Sequence, residues 1–169
     1  MITSEYCRVM ARYNAWQNSQ LAKALEGQSA AVLTQDRGAF FGSILGTLSH
    51  LLWGDLMWMS RFDPQVETPG GTIAKSVRLV SDFQDWRQRR DAADHVITSW
   101  ADALSDETLE GDLVWFSGAA NREVTRPKAF CVAHMFNHQT HHRGQVHALM
   151  TGAGLTGAVS DLFFLPEAA

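Results

Sequence analysis

Apolar residues recur at three- and four-residue spacing in four long stretches of the chain, and this period predicts α-helices. The stretches cover residues 4–26, 43–62, 81–104 and 126–150. Residues that favour helix ends flank three of them. Gly27 follows the first, Ser43 is a predicted N-cap of the second, and Pro127 suits the first turn of the fourth. Four long helices are therefore expected to make up most of the chain.

The segments between these helices differ in kind. Residues 63–80 form a crossover that is too long for a tight turn between antiparallel neighbours. Residues 105–126 contain the strand-like sequences LVWF and REVT, with a turn around Gly118 and Asn121, which predicts a short hairpin. The pattern therefore predicts an all-α fold, a four-helix bundle with a long crossover and a short extended or hairpin excursion before the last helix. We expect one domain over residues 1–169.

Composition narrows the class of protein. Hydrophobic residues make up 46% and charged residues 19% of the chain, which is typical of a globular protein. The formal net charge of −4 gives no basic surface for nucleic acid or anionic membrane, so we expect neither partner. No apolar run approaches the roughly 18 residues that span a bilayer, and the first residues do not resemble a secretory signal. We therefore expect a cytoplasmic protein with Cys7 and Cys131 reduced.

The candidate chemistry lies in the fourth predicted helix, where HMFNHQTHHRGQVH holds five of the seven histidines. At about 100° per residue, His142 lies about 40° to one side of His138 and His134 about 40° to the other. His141 is at the edge of this stripe, about 60° from His138, and His147 lies on the opposite side. Residues four apart are close enough for two imidazoles to bind one ion. The stripe therefore predicts part of a metal site.

A metal site of the catalytic type needs a further ligand from another helix. Outside the cluster the chain has only two histidines, His50 and His95. His50 lies in the most hydrophobic helix, in LGTLSHLLWGDLMW, where an unpaired imidazole would be costly. His95 lies beside the charged face of the third helix. His50 is therefore the predicted third ligand, although a lone histidine in mid-helix is more often a hydrogen-bonded core residue.

The fourth-helix sequence HMFNHQTHHRGQVHALMTGAG resembles the signature of the DinB family. In addition, YNAWQNSQL resembles the first helix of that family, LGTLSHLLWGDLMWMSRF its second helix, and SDLFFLPE its C-terminal tail. The resemblance covers most of the chain in the same order. It implies a four-helix bundle, often a homodimer, with a divalent metal ion held by three histidines.

Matched residue by residue, the resemblance implies metal ligands at His50, His138 and His142. The first comes from the second helix, and the other two come from the fourth helix at positions i and i+4. The helical wheel favours the same pair in the fourth helix. On this assignment, His134 and His141 would line the cavity or support the ligands.

Several residues near the cluster have open roles. Arg143 and Gln145 could orient ligands or substrate, but Arg143 could equally pair with a carboxylate such as Asp55 as a structural contact. Gly144 costs about 1 kcal/mol relative to alanine inside a helix, which predicts the close approach of another helix backbone. Three large apolar residues near His50, namely Trp53, Met57 and Trp58, are interpreted as core residues rather than as a substrate platform.

Three neutral imidazoles around a divalent ion support two kinds of chemistry. The ion can lower the pKa of bound water to roughly 7 and supply hydroxide for hydrolysis, or it can bind and deprotonate a thiol. Gln139 stands where the H-E-x-x-H hydrolases have a glutamate, which weakens the hydrolase interpretation. The uncharged ligand set favours an anion on the ion. The resemblance also implies transferase chemistry, because characterised members of that superfamily include metal-dependent transferases that use low-molecular-weight thiols.

We therefore predict a thiol S-transferase that joins a low-molecular-weight thiol to a small-molecule electrophile. A hydrolase acting through metal-bound hydroxide is the first alternative, and a non-catalytic, stress-related metal-binding dimer is the second. Zinc or nickel is the expected metal, with iron and manganese as alternatives, because three imidazoles discriminate poorly among these ions. The sequence assigns no catalytic side chain.

Overall fold

The computed structural model describes residues 1–167 and is mostly helical. Within this range the α-helices are α1 (Ser4–Leu25), α2 (Ala30–Thr34), α3 (Ile44–Phe62), α4 (Phe83–Ala103) and α5 (Lys128–Gly152). Strands β1 (Asp112–Ser117) and β2 (Arg122–Pro127) form an antiparallel hairpin before α5. Short 3-10 helices occupy Ile73–Arg78, Glu107–Leu109 and Leu162–Phe164. The predicted long helices and the hairpin are confirmed, and the short helix α2 was not predicted.

The ends of the helices follow the local chemistry of the sequence. Thr3, Ser43 and Asp82 cap α1, α3 and α4, each accepting a hydrogen bond from the backbone N–H three residues later. Gly27 has a φ of 75°, the left-handed conformation that often follows the end of a helix. Pro127 lies just before the first turn of α5 rather than within it, because it is both the last residue of β2 and the N-cap of α5, which begins at Lys128.

The long crossover between α3 and α4 is tied to α3 by hydrogen bonds. The buried Ser49 hydroxyl donates to the backbone carbonyl of Ser76 at 2.7 Å. The same oxygen accepts a hydrogen bond from the backbone N–H of Leu79 at 3.1 Å. Because Ser49 adjoins His50, these contacts fix the crossover next to a predicted metal ligand.

Apolar side chains fill the interior in two groups. One group includes Trp86 and the other includes Phe136. The α1 helix packs mainly on α4, and α3 packs mainly on α5. Both Cys7 and Cys131 are buried and free. Within residues 1–167, no helix is both long enough and apolar enough to cross a membrane.

A buried polar network connects α1, α3 and α4. Arg90 of α4 is 2% exposed, and its guanidinium lies 2.6 Å from Asp55 of α3 and 2.8 Å from Asp94 of α4. Asn14 and Asn18 of α1 each donate an amide hydrogen bond to Asp94 at 3.0 Å. Buried charges are tolerated when they are paired and hydrogen-bonded. The network therefore constrains how these three helices lie against one another.

Arg143 brings α5 into this network. It is 5% exposed, it donates a hydrogen bond to Asn14, and its guanidinium lies 5.4 Å from the ring centre of Tyr13. Burial lowers the pKa of Arg143 to about 10, while the charge of Asp55 acts in the opposite direction. Asp55 itself pairs with Arg90. The structure thus places Arg143 in a structural contact, with Asn14 as its hydrogen-bond partner.

We expect Arg90→Met to lower the free energy of unfolding by about 3–5 kcal/mol, because it leaves Asp55 and Asp94 buried without their cation. Arg87→Met is the matched control on the same helix. Arg87 is 37% exposed and pairs with Glu26 at the surface, so its loss should cost less than about 1 kcal/mol. Urea denaturation of both variants measures the difference. Equal losses would contradict a structural role for the buried network.

Candidate metal centre

Three histidines from two helices meet in the structure. His50 lies on α3, and His138 and His142 lie on α5. One ring nitrogen of each histidine belongs to a set of three atoms that lie within 4.8 Å of one another. His50 is 4% exposed and His142 is 7% exposed. The rings are therefore close enough for one cation to reach all three.

The surroundings of His50 determine which nitrogen carries its proton. Its Nδ1 lies 2.8 Å from the hydroxyl oxygen of Ser76. That hydroxyl donates its proton to the backbone carbonyl of Ile73 at 2.6 Å, so it accepts the Nδ1–H of His50. The free lone pair of His50 is therefore on Nε2, which lies 3.3 Å from Nε2 of His138. Such a partner on the other ring nitrogen is what orients ligating histidines in metal sites.

Gln145, in the following turn of α5, orients His142 in the same way. Its carbonyl oxygen accepts the Nδ1–H of His142 at 2.7 Å, which leaves the lone pair of His142 on Nε2. The amide nitrogen of Gln145 donates to Nε2 of His141 at 3.2 Å. The lone pair of His141 is thereby occupied, and His141 is exposed beside the other three rings.

His138 lies against α3 at a glycine. A Cβ atom at Gly54 would lie 2.7 Å from Cε1 of His138, so the hydrogen at this position leaves room for the ring. The prediction of a close backbone contact at Gly144 is wrong, because a Cβ atom there would meet no atom of a neighbouring element within 4 Å. Gly54, rather than Gly144, is therefore the helix glycine that leaves space for a histidine ring.

The three rings are neutral at pH 7. Burial, with a further contribution from the neighbouring imidazoles, lowers the pKa of His138 to about 3 and that of His50 to about 4. Burial also lowers the pKa of His142. Neutral imidazole is the form that binds a metal ion.

The donor set fits a divalent cation. Nδ1 of His138 is buried and has no hydrogen-bond partner among residues 1–167. With the protons of His50 and His142 on Nδ1, the Nε2 lone pairs of those two rings are free to meet an ion. Within the same range, the group contains no carboxylate or thiol. Three nitrogen ligands with room for a further group are typical of catalytic zinc sites.

Phe41, in the loop before α3, covers one face of the His50 ring. The two ring centres lie 3.8 Å apart with their planes inclined by 18°. The Phe41 ring also meets His142 at a steep angle, with 5.4 Å between the ring centres. Phe41 thereby shields this side of both rings from water and restricts their movement.

A cavity of about 600 Å³ adjoins two of the three histidines. His50 and His138 contribute to its wall, as do Trp58 and Arg61 of α3 and Trp115 of β1. Trp58 also packs against the apolar interior, so its interpretation as a core residue is only partly correct. None of the described residues that line the cavity carries a carboxylate. The hairpin therefore helps to enclose a binding space next to the histidines.

The other histidines lie outside this group. His134 lines the cavity, where its ring centre lies 5.0 Å from that of Trp58. The His147 ring lies against Gly157 of the C-terminal segment. His95 is exposed on α4. Of the histidines in the predicted stripe, only His138 and His142 therefore join His50 of α3 in this group.

Sequence reasoning missed two residues that hold the rings, Ser76 and Phe41. Both lie in segments without helical periodicity, and no sequence pattern marks a loop residue that folds back onto a histidine. Gly54 did carry a signal, since it is a glycine in the middle of an apolar helix, one turn after His50. Such a glycine is unfavourable unless a neighbour needs the space.

Comparison with known proteins identifies the family. The sequence model of the DinB family matches residues 1–169. The chain belongs to the DinB family. Protein DinB of Bacillus subtilis (strain 168) is 21% identical to it over 158 residues, which cover 94% of this chain and 92% of that protein. The resemblance inferred from the fourth-helix motif and the three supporting segments is thereby confirmed.

The geometry agrees with the residues that the family resemblance singled out. One predicted ligand, His50, comes from the second long helix, and two, His138 and His142, come from the fourth. These are the three residues that the structure brings together. Their binding of an ion stays a prediction.

We expect Gly54→Ala to weaken zinc binding by about tenfold or more, because the added methyl group displaces the His138 ring. Gly144→Ala on α5 is the matched control and should bind zinc as the wild type does. Competition with a chromogenic chelator measures both affinities. An unchanged affinity in Gly54→Ala would show that zinc binding does not need the His138 ring in its present position.

The metal-free protein should lose stability as the pH falls below about 6.5, the ordinary pKa of histidine. In the folded protein, the pKa values of His50 and His138 are about 4 and about 3. Between these limits the unfolded chain binds more protons, so the free energy of unfolding falls on acidification. Thermal unfolding of chelator-treated protein across this range measures the effect. The double variant His50→Gln/His138→Gln should show a smaller fall, and an equal fall would contradict the assignment.

Proposed function

We propose that the protein is a divalent-metal-dependent thiol S-transferase with a four-helix-bundle fold. The observation that carries this proposal is the set of three neutral histidines, two of which line a cavity without carboxylates in its described lining. A divalent ion bound there would stabilise the thiolate of a low-molecular-weight thiol at neutral pH and so supply a nucleophile. Zinc or nickel is the proposed ion, with iron and manganese as alternatives.

The residues around the centre would each have a defined role. His50, His138 and His142 hold the ion through ring nitrogens. Ser76 and Gln145 keep two of these rings in the orientation that presents Nε2, because each accepts the proton on Nδ1. Neutral ligands leave the ion with its full positive charge, and burial strengthens the attraction of that charge for an anion. The centre is therefore suited to bind a thiolate.

The cavity wall supports transfer over hydrolysis. Hydrolysis by an activated water benefits from a positioned acid or base. The described lining residues include no carboxylate, and His134 is the one histidine among them outside the three proposed ligands. Gln139, at the position of the glutamate in H-E-x-x-H enzymes, is fully buried and lies close to Asp55. A thiol and a water molecule would each release one proton to solvent on ionising at the ion, and the thiol, with an ordinary pKa of about 8.5 against about 15.7 for water, depends less on a positioned base.

Three further parts of the proposal rest on the sequence and on the family resemblance rather than on the geometry. We propose that the protein acts on a small-molecule substrate in the cytoplasm and that it is a homodimer. Light scattering combined with size-exclusion chromatography measures the oligomeric state.

The untagged protein should bind a divalent ion, and His50→Ala should lose it because the two ligands on α5 do not hold an ion alone. His95→Ala is the matched control, since His95 is an exposed histidine on α4, and this variant should keep the ion. Mass spectrometry of the dialysed proteins measures the bound metal. Full metal content in His50→Ala would falsify the assignment of the three ligands.

Titration with thiols tests the class of reaction. The cobalt-substituted protein should develop a cobalt–sulfur charge-transfer band with at least one of glutathione, bacillithiol and mycothiol. Absence of the band together with ester or amide hydrolysis would favour the hydrolase. Absence of both would favour a non-catalytic, stress-related metal-binding dimer.

A further inference from the structure

Arg61, in the last turn of α3, is a partly buried cation without an anionic partner in the described chain. Its guanidinium carbon lies 4.5 Å from the ring centre of Trp58 and 5.4 Å from that of Trp115. None of the ion pairs formed within residues 1–167 includes Arg61. The two indole rings hold the guanidinium by cation–π contact. Its N–H groups therefore stay available to a ligand.

The other buried arginines of the protein differ from Arg61. Arg90 lies between two carboxylates, and Arg143 donates a hydrogen bond to Asn14. Burial lowers the pKa of Arg61, so its surroundings are partly desolvated. A guanidinium nevertheless stays charged at neutral pH. A desolvated charge without a partner favours the binding of an anion.

Arg61 and His50 line the same cavity from one face of α3. They are separated by eleven residues, so at about 100° per residue their directions differ by only about 20°. A rise of about 1.5 Å per residue places their Cα atoms about 16 Å apart. The long arginine side chain leans back toward the start of the helix, which leaves on the order of 10 Å between the guanidinium and the histidines.

The wall between these two ends is largely apolar. Met57, Trp115 and Phe116 line it. Phe116 is 66% exposed, so its ring lies where the cavity meets the solvent. A bound molecule would therefore meet positive charge at Arg61, apolar surface along its length, and the candidate metal centre at its other end.

We propose that this cavity binds a carboxylate-bearing ligand, with its carboxylate on Arg61, an apolar body along the aromatic wall and its other end at the three histidines. The guanidinium can donate two parallel hydrogen bonds to the two oxygens of a carboxylate. The identity of the other end as a thiolate rests on the function proposed above. Arg61 is then a specificity-determining residue that favours acidic thiols over neutral ones.

The test compares two thiols of equal length on the cobalt-substituted full-length protein. The first, 6-mercaptohexanoate, ends in a carboxylate, and the second, 6-mercaptohexanol, ends in an alcohol. We expect the wild type to bind the carboxylate at least about tenfold more tightly, because a charge-assisted pair is stronger than a neutral hydrogen bond. The cobalt–sulfur band measures both affinities.

Variants at position 61 assign the preference to one side chain. Arg61→Gln should weaken the binding of mercaptohexanoate and leave that of mercaptohexanol unchanged. Arg61→Lys keeps the charge without the planar fork and should retain part of the preference. Arg122→Gln removes an exposed arginine of β2 and should behave as the wild type does. The cobalt spectrum without thiol and the melting temperature report whether each variant keeps its centre and its fold.

Three results would overturn the proposal. The first is equal affinity of the wild type for the two thiols, and the second is a preference that survives in Arg61→Gln. The third is an equal weakening of both thiols in Arg61→Gln, which is expected if Arg61 serves only to join the hairpin to α3.

A second measurement separates this proposal from the thiol transferase. Hexanoate and hexanol lack sulfur, and quenching of tryptophan fluorescence in the zinc-loaded protein measures their binding. A preference for hexanoate that disappears in Arg61→Gln supports the carboxylate site even if no thiol gives a cobalt–sulfur band, in which case the transferase is wrong. A cobalt–sulfur band without any preference for the carboxylate supports the transferase and contradicts the carboxylate site.

Discussion

The buried ion pair between Arg90 and Asp55 is the contact on which the arrangement of the helices depends. A buried cation that moves away from its carboxylate is left unpaired at a cost of several kcal/mol. Asp94 extends the network along α4, and Asn14 connects it to α1 and, through Arg143, to α5. We infer that this network, more than the apolar interior, defines the register of the helices.

The same constraint positions the candidate metal centre. Arg143 follows His142 on α5, and neighbouring residues of a helix point about 100° apart. When Arg143 turns toward α1, His142 therefore turns toward α3. On α3, Asp55 adjoins Gly54, against which the His138 ring lies. A shift of α5 that broke the network would also separate the rings, so the stability of the fold and the geometry of the centre are linked.

The features that depend on helical periodicity could be predicted from the sequence. The features that depend on where loops fold back onto the helices could not. Apolar spacing identified the long helices, and the cost of an imidazole in an apolar helix identified His50. Ser76 and Phe41 hold that ring from a crossover and a loop, whose paths are determined by tertiary contacts rather than by local pattern. Gly54 and Gly144 show the same limit, since both are costly in a helix but only the structure shows which of them faces a neighbouring ring.

The arrangement of protons around the three histidines suits them to bind an ion. Ser76 and Gln145 accept the Nδ1 protons of His50 and His142, which leaves the lone pairs of both rings on Nε2. His138 has a single N–H, so it can donate a hydrogen bond to at most one of these two lone pairs. Its own Nδ1 has no hydrogen-bond partner among the described residues. A buried ring nitrogen without a partner is unfavourable. An ion that accepts these lone pairs relieves the cost, and its binding energy then contributes to the stability of the fold.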